Sequence, residues 1–296
     1  MSSDPIKLLV DADMLLFRAA AGCQFDAELH PGMWISQLDH HRAKDTFWES
    51  VEQLAVQVEA DVEDAILCWT SRSMFRRNLC PTYKANRKNV RKPPGYHALI
   101  ADMITHDQSV MHDQIEADDL ISIISRTYGK DTPHVICSGD KDMRQVPGIH
   151  LWLDQPGDKV TPAEGMMLFW QQAITGDATD GYAGAKGVGP QGASKLLGGV
   201  DPFDEVACWR IVVQAYRDAG HQDFVADALI NAQLAQLLHP NQYNFSTFEA
   251  TPWQPPATAL DQPLPVKASN RRTSSTKSSS SEAKRTGTKR IPPATD

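Results

Sequence analysis

Acidic side chains carry the chemistry that this sequence offers. They fall in four short motifs: Asp11 in LLVDAD, Glu116, Asp118 and Asp119 in IEADDL, Asp140 and Asp142 in SGDKD, and Asp177 and Asp180 in TGDATDG. Glu116/Asp119 and Asp177/Asp180 are spaced i,i+3, so each pair can share a helical face. Two carboxylates about 4 Å apart repel by ~4 kcal/mol at an effective dielectric near 20. A convergent set must therefore raise its pKa values or take up cations. The donors are hard oxygens, and the motifs hold no His or Cys, which selects Mg²⁺ or Mn²⁺ over zinc. Two such ions in a carboxylate site suit phosphodiester hydrolysis, one activating water and the other stabilising the leaving oxygen. Taken singly, each Asp reads as a helix cap, a turn residue or a solvated charge. Neighbours in sequence usually point apart, which counts against Asp118 and Asp13. Four acidic clusters, each following an element in sheet order, are much harder to assign to chance.

The elements that must position these groups are legible as apolar runs. Residues 6–10 (IKLLV) read as a buried strand ending at Asp11. Further strands are expected at Ala65–Trp69, 109–112, His134–Cys137 and 150–153. Helical patterns lie between them at 43–58, 96–104 and Ala117–Tyr128. Strands alternating with helices, none punctuated as a tight hairpin, predict an α/β fold with a mostly parallel sheet. Ligands of such sheets gather outside the carboxyl ends of the strands, which is where the acidic motifs fall. After about residue 162 the pattern turns helical, with runs at 163–174, 191–197, 203–216 and 224–238.

Two further stretches bear on a polyanionic substrate. Residues 72–92 (RSMFRRNLCPTYKANRKNVRK) contain no Asp or Glu. This segment brings Arg76, Lys84, Arg87 and Lys88 together, with Phe75 and Tyr83 interleaved as stacking groups for a single strand. The plainer reading is a solvated helical face. Residues 184–197 (GAKGVGPQGASKLL) resemble a helix–hairpin–helix. Gly187 and Gly189 would let the backbone approach a phosphate, and the following helix N-terminus would supply amides. Lys186, Ser194 and Lys195 could add contacts. A tight turn between packed helices is the alternative. GKS/T is absent, so no ATP use is expected.

The 296-residue chain carries 29 basic and 37 acidic residues, a net charge of −8. The balance is uneven: from residue 266 onward eight Lys/Arg face only Glu282 and Asp296. The rest is strongly acidic and can bind a polyanion only through local basic patches or bound cations. Five scattered cysteines without a CxxC fit a reducing, cytoplasmic setting. Neither a membrane span nor a signal peptide is expected. Residues 251–265 are proline-rich. The Ser/Thr/Lys/Arg-rich stretch 267–296 reads as a disordered basic tail. The organisation expected is a core over 1–162, a helical portion over 163–250 and a linker with tail over 251–296.

The stretches LLVDADMLLFRAA, FRRNLCPTYKANRK, IEADDLISII, VICSGDKDM and TGDATDGYAGAKGVG occur in the order found in the flap endonuclease and 5′–3′ exonuclease family, which the chain resembles over about its first 253 residues. The resemblance implies a PIN-like core and a metal-dependent nuclease acting on DNA with 5′ ends, flaps or nicks. It assigns metal ligation to Asp11, Glu116, Asp118, Asp119, Asp140, Asp142, Asp177 and Asp180. It places Arg76, Tyr83, Lys84 and Arg87 in an arch that holds the 5′ strand, with Lys84 and Arg76 at the scissile phosphate. It makes residues 184–197 the duplex-binding turn, often with a K⁺ there. RNA–DNA hybrids are a further substrate to test, and a monomer is expected. One departure stands out: relatives carry an Asp just after the second strand, where this chain has Ser71. A hydroxyl there could hydrogen-bond a metal-bound water but brings no charge. The alternatives are a PIN-type ribonuclease and a DNA-binding protein that has lost catalysis.

Overall fold

The computed structural model describes residues 4–153 and 155–260, with the side chains of Lys88, Asn89 and Leu260 left aside. The basic stretch 267–296 lies outside the described residues. The chain runs β1 (Lys7–Asp11), α1 (Ala12–Gly22), β2 (Gln24–His30), β3 (Met33–Leu38), α2 (His40–Gln57), β4 (Ala65–Trp69), α3 (Phe75–Leu79), α4 (Tyr96–Met103), β5 (Ser109–Met111), α5 (Ala117–Tyr128), β6 (His134–Cys137), β7 (Gly148–Trp152) and β8 (Gln155–Val160). It continues through α6 (Pro162–Thr175), β9 (Gly176–Asp177), β10 (Tyr182–Ala183), α7 (Pro190–Leu197), α8 (Glu205–Asp218) and α9 (Phe224–Ala235).

Six strands form one sheet in the order β5-β4-β1-β6-β7-β8. All neighbours are parallel except β7 and β8. This is the mixed α/β, mostly parallel architecture expected from the sequence. The central strands are apolar on both faces because both faces are covered. Leu8, Val10, Leu67, Trp69, Val135 and Cys137 pack under α1, α2 and α4. Leu9, Cys68 and Ile136 point the other way, against Leu120, Ile121 and Ile123 of α5. In α2, Ala43, Phe47, Val51 and Leu54 recur at helical spacing and are fully buried. Asp39 caps that helix by accepting from Arg42 N at 2.9 Å.

Antiparallel hairpins depart from the expectation that none would occur, and two of them involve longer strands. Residues 24–38 pair as β2 and β3. Their turn is Pro31-Gly32, with Gly32 at φ +80°, and Pro-Gly is a turn signal present in the sequence. The second hairpin adds β8 to the sheet edge. Its sequence, QPGDKV, is exposed except at Val160, and such polar edges discourage further pairing. The helices after residue 162 fall where periodicity placed them. Among the described residues no helix is long and apolar enough to cross a membrane.

Candidate active site

Parallel pairing of β1 with β6 aligns Val10 with Cys137, so the residues that follow these strands emerge side by side. Asp11 ends β1 and caps α1, its Oδ1 accepting from Met14 N at 3.1 Å. Its Oδ2 accepts from the Ser138 hydroxyl, just past β6, at 2.9 Å. The same hydroxyl accepts from Asp140 N at 3.1 Å, and Asp140 Oδ1 accepts from Asp142 N at 2.8 Å. Asp118 enters from the first turn of α5. Burial pushes the Asp11 carboxyl up to about 6, and repulsion from Asp13 and Asp140 adds to it against the Met14 and Ser138 hydrogen bonds. Burial, then Asp11, raises Asp118 well above the carboxylate range, with Lys84 opposing and Asp140 adding. Burial and Asp140 also raise Asp142. Asp11, Asp118, Asp140 and Asp142 therefore share a strained anionic field.

Asp13 belongs beside them. Its Oδ2 accepts from Thr70 N, just past β4, at 2.7 Å. Burial raises its pKa and Glu116 adds to the shift. Asp13 lies two residues after Asp11, and its nearness in sequence counts against it; the turn into α1 nevertheless brings both carboxylates together.

Glu116 and Asp119 are built differently. They are the N-cap and third residue of α5 and form a reciprocal capping box. Asp119 is fully buried. Its Oδ1 accepts from Arg76 Nη2 at 2.8 Å and Leu238 N at 3.1 Å, and its Oδ2 from Arg76 Nη1 at 2.5 Å and Glu116 N at 3.3 Å. Both oxygens of Asp119 are thus occupied by protein donors. Arg76 is the central donor of this network. It is 2% exposed, and it also bonds Glu116 Oε2 and the carbonyls of Leu234 and Gln236 at the end of α9. No face of this guanidinium is open to a phosphate; it ties α3, α5 and α9 together instead. Burial would raise the Glu116 carboxyl, but Lys84 and Arg76 outweigh it and hold it down at about 2.

The basic segment is not one solvated helical face. After the five-residue α3 it runs through turns, and a 3₁₀ stretch, Ala85–Asn89, follows. Phe75 and Tyr83 are core residues, so neither offers a ring to a strand here. Tyr83 donates its hydroxyl to Glu116 Oε2 at 3.0 Å and Asp180 Oδ2 at 3.2 Å. Lys84 reaches Glu116 Oε1 at 2.5 Å and lies 3.6 Å from Asp180 Oδ2. Arg87 is half exposed and pairs with Asp180. The side chain of Lys88 lies outside the described residues.

Asp177 and Asp180 do not share a helical face either. They sit in the β9–β10 turn, where Asp177 Oδ1 accepts from Thr179 N at 2.6 Å and Asp180 N at 3.4 Å. The turn is tight because Gly184 backs onto Thr175: a Cβ there would lie 2.1 Å from the Thr175 carbonyl carbon. Lys141 Nζ then bridges Asp177 Oδ2 at 2.8 Å and Asp142 Oδ1 at 3.1 Å. Among the described residues, no three His, Cys, Asp or Glu side chains close into a ready-made cage. The protein's own cations stand among the carboxylates instead. The donor set is carboxylate oxygens, three of whose groups (Asp11, Asp118 and Asp142) are raised first by burial and then by neighbouring carboxylates, and it fits hard divalent cations.

At Ser71 the hydroxyl donates to Asp113 Oδ1 at 2.9 Å, and the Ser73 hydroxyl also donates to that oxygen. These hydroxyls, Ser73 then Ser71, hold the exposed Asp113 carboxyl below its usual range. The Ser71 hydroxyl proton thus goes to Asp113. Farther along, Gly187 sits at φ +82° with open space around it, and Gly189 caps α7 ahead of Pro190. Lys186 and Lys195 are exposed beside this turn, while the Ser194 hydroxyl accepts from Gln171 Nε2 at 3.1 Å. A groove of about 490 Å³ runs along the turn from Thr175 to Gly189.

Residues 7–167 match the family described as 5′–3′ exonuclease, N-terminal resolvase-like domain. The chain is 27% identical to the exonuclease of Escherichia phage T7 over 84% of its own length and 93% of that protein. It is 30% identical to the exodeoxyribonuclease of Enterobacteria phage T3 over 66% and 67%. The fold resembles that of bacteriophage T5 5′-exonuclease with bound zinc, at a TM-score of 0.54 and 17% identity over 80% of this chain and 90% of that one. A T5 flap endonuclease complex with DNA and metal ions gives the same score, identity and coverage. With a family match across more than half its length and phage exonuclease relatives beyond it, the chain belongs to the 5′–3′ exonuclease family.

Proposed function

We propose that this 5′–3′ exonuclease hydrolyses phosphodiesters near DNA 5′ ends, flaps and nicks with two divalent ions, Mg²⁺ or Mn²⁺, held by Asp11, Asp118, Asp140, Asp142 and Asp177. The observation that carries this reading is the convergence of acceptor-only carboxylates from separate chain segments on one sheet edge, where burial and mutual repulsion raise three of them. Bound there, the ions would polarise the phosphate and lower the pKa of water. The chain's own part is positioning. Glu116 and Asp180, held by Tyr83, Lys84 and Arg87, form the wall next to the ions. Lys84 is the cation nearest the reacting phosphate, and Arg76 fixes the helix that carries Asp118.

Residues 1–162 act as the nuclease core and 163–250 as the duplex-binding portion. In the latter, Gly187, Gly189, Lys186 and Lys195 face the backbone phosphates, with Ser194 available once released from Gln171. A K⁺ at this turn, action on RNA–DNA hybrids, a monomeric enzyme and a cytoplasmic site of action belong to the same proposal. Its five cysteines stand unpaired, as a reducing compartment would leave them.

Cleavage of 5′-labelled duplex, flap and RNA–DNA hybrid, with and without Mg²⁺, tests the reading. Release of short products from the DNA 5′ end only with Mg²⁺ is expected. Binding without cleavage at any ion concentration would point to a DNA-binding protein. Cleavage confined to single-stranded RNA would point to a ribonuclease.

A further inference from the structure

Lys141 lies between the two acidic residues of SGDKD and contacts a carboxylate from a different motif. Its Nζ is 2.8 Å from Asp177 Oδ2 and 3.1 Å from Asp142 Oδ1. The same Asp142 oxygen accepts from Gln172 Nε2 at 2.6 Å, so a second donor holds it where it meets the lysine. Lys141 is nevertheless 70% exposed, whereas Lys84, on the opposite wall, is 13% exposed. One ammonium is enclosed; the other reaches in from solvent.

An ammonium and a divalent ion cannot hold the same pair of carboxylate oxygens at once. Exposed ion pairs contribute little to stability, so a change of rotamer can release Lys141, whereas Lys84 is enclosed by its partners. We propose that Lys141 is a resident counter-cation that fills the place of one divalent ion between Asp142 and Asp177 and withdraws when that ion enters. This rests on the metal-dependent reading given above. Lys141 thereby keeps two facing carboxylates charged and apart in the metal-free protein. It also sets the ion concentration at which this half of the site fills. Once displaced, its ammonium remains at the rim of the site, where a substrate phosphate would be its next partner.

Mn²⁺ titration of the DNA-free full-length protein, followed by the electron paramagnetic resonance of free Mn²⁺, tests this without reference to turnover. Lys141→Met should fill its weaker site at about tenfold lower Mn²⁺, because a competing unit charge a few ångströms away has gone. Lys130→Met removes an exposed charge just beyond α5 and should leave the titration near wild type, which controls for net charge. Equal or weaker Mn²⁺ binding in Lys141→Met, or the same gain in Lys130→Met, overturns the role of Lys141 while leaving the metal site intact. A wild-type protein that takes up no Mn²⁺ overturns the metal reading itself, and the inference with it. Lys141→Gln provides a second neutral variant should Lys141→Met not fold.

Discussion

The carboxylate cluster has two sides that handle the same chemical problem in opposite ways. Around α3 and α5, Glu116 and Asp119 meet a buried guanidinium, a tyrosine hydroxyl, a lysine and two backbone amides. Around the ends of β1 and β6, Asp11 and Asp118 are raised first by burial and then by neighbouring carboxylates, and no Lys or Arg pairs directly with either among the described ion pairs. The first side is satisfied by the protein; the second is the side proposed to take up divalent ions. Asp118 and Asp119 are adjacent in sequence yet lie on different sides, because successive residues of a helix are rotated by about 100°. Residue type and spacing alone cannot separate a structural carboxylate from a ligand, whereas the inventory of donors around each one can.

The closed side should show the largest effect. Arg76→Met leaves a buried Asp119 and part of Glu116 unpaired, along with two α9 carbonyls. Breaking such a pair costs about 3–5 kcal/mol. Urea unfolding should show that loss at neutral pH. A change below about 1 kcal/mol would mean that the buried network is not what holds α3, α5 and α9 together, and would reopen the case for Arg76 at the phosphate.

Asp118→Asn and Asp119→Asn divide the two sides directly. Asp118→Asn should lower cleavage by at least about 100-fold, equivalent to losing roughly 3 kcal/mol of ion-assisted stabilisation. Its melting temperature should hold or rise, because a repelling charge has gone. Asp119→Asn should instead lower the melting temperature, since an amide cannot accept the Arg76 fork as a carboxylate does. Its activity loss should follow the loss of folded protein. The reverse pattern in the two variants would exchange their roles.

Much of this was legible in the chain. The strands of the parallel sheet announce themselves as apolar runs because both faces are buried, and the acidic motifs follow them because strand ends face the ligand side. Three things were not legible. The basic composition of 72–92 concealed that Arg76, Phe75 and Tyr83 are core residues, since a buried charge is recognisable only once its partners, 40 to 160 residues away in the chain, are in place. The i,i+3 spacing of Asp177 and Asp180 suits a helix and a turn equally, and the decision came from glycines 176 and 184 packing backbone on backbone. The hairpin at 24–38 carried its Pro-Gly signal, but exposed strands lack the apolar run that marks buried ones.

The two sides should also titrate in opposite directions. Glu116 is held at about 2 against an ordinary 4.5. Its contribution is complete above pH 4.5 and is lost as pH falls towards 2. Asp11 is pushed up from 3.8 to about 6, so its ionisation destabilises the fold as pH rises through that interval. Urea midpoints measured from pH 2 to 7 should therefore rise and then sag. Mg²⁺ should remove the sag, because an ion that binds the folded state alone stabilises it, and should leave the acid limb unchanged. Lys84→Met should flatten the acid limb only. A sag that Mg²⁺ leaves untouched would show that the open side does not bind the ion.

The smallest expected effect lies at the seam between the two sides. Arg87 pairs with Asp180, whose other oxygen accepts from Tyr83, but the arginine is 48% exposed. An exposed pair of this kind contributes about 0–1 kcal/mol, so Arg87→Ala should barely move the urea midpoint. If the segment meets the 5′ strand, the variant should still lose DNA affinity, and the slope of log K against log salt should shrink by about 0.7–0.9 for one phosphate contact. Arg76→Lys, whose charge stays buried, should leave that slope unchanged. Fluorescence anisotropy of a flap substrate across a salt series measures both. An unchanged slope for Arg87→Ala would confine Arg87 to pairing with Asp180 and move the phosphate contacts of this edge to other cations.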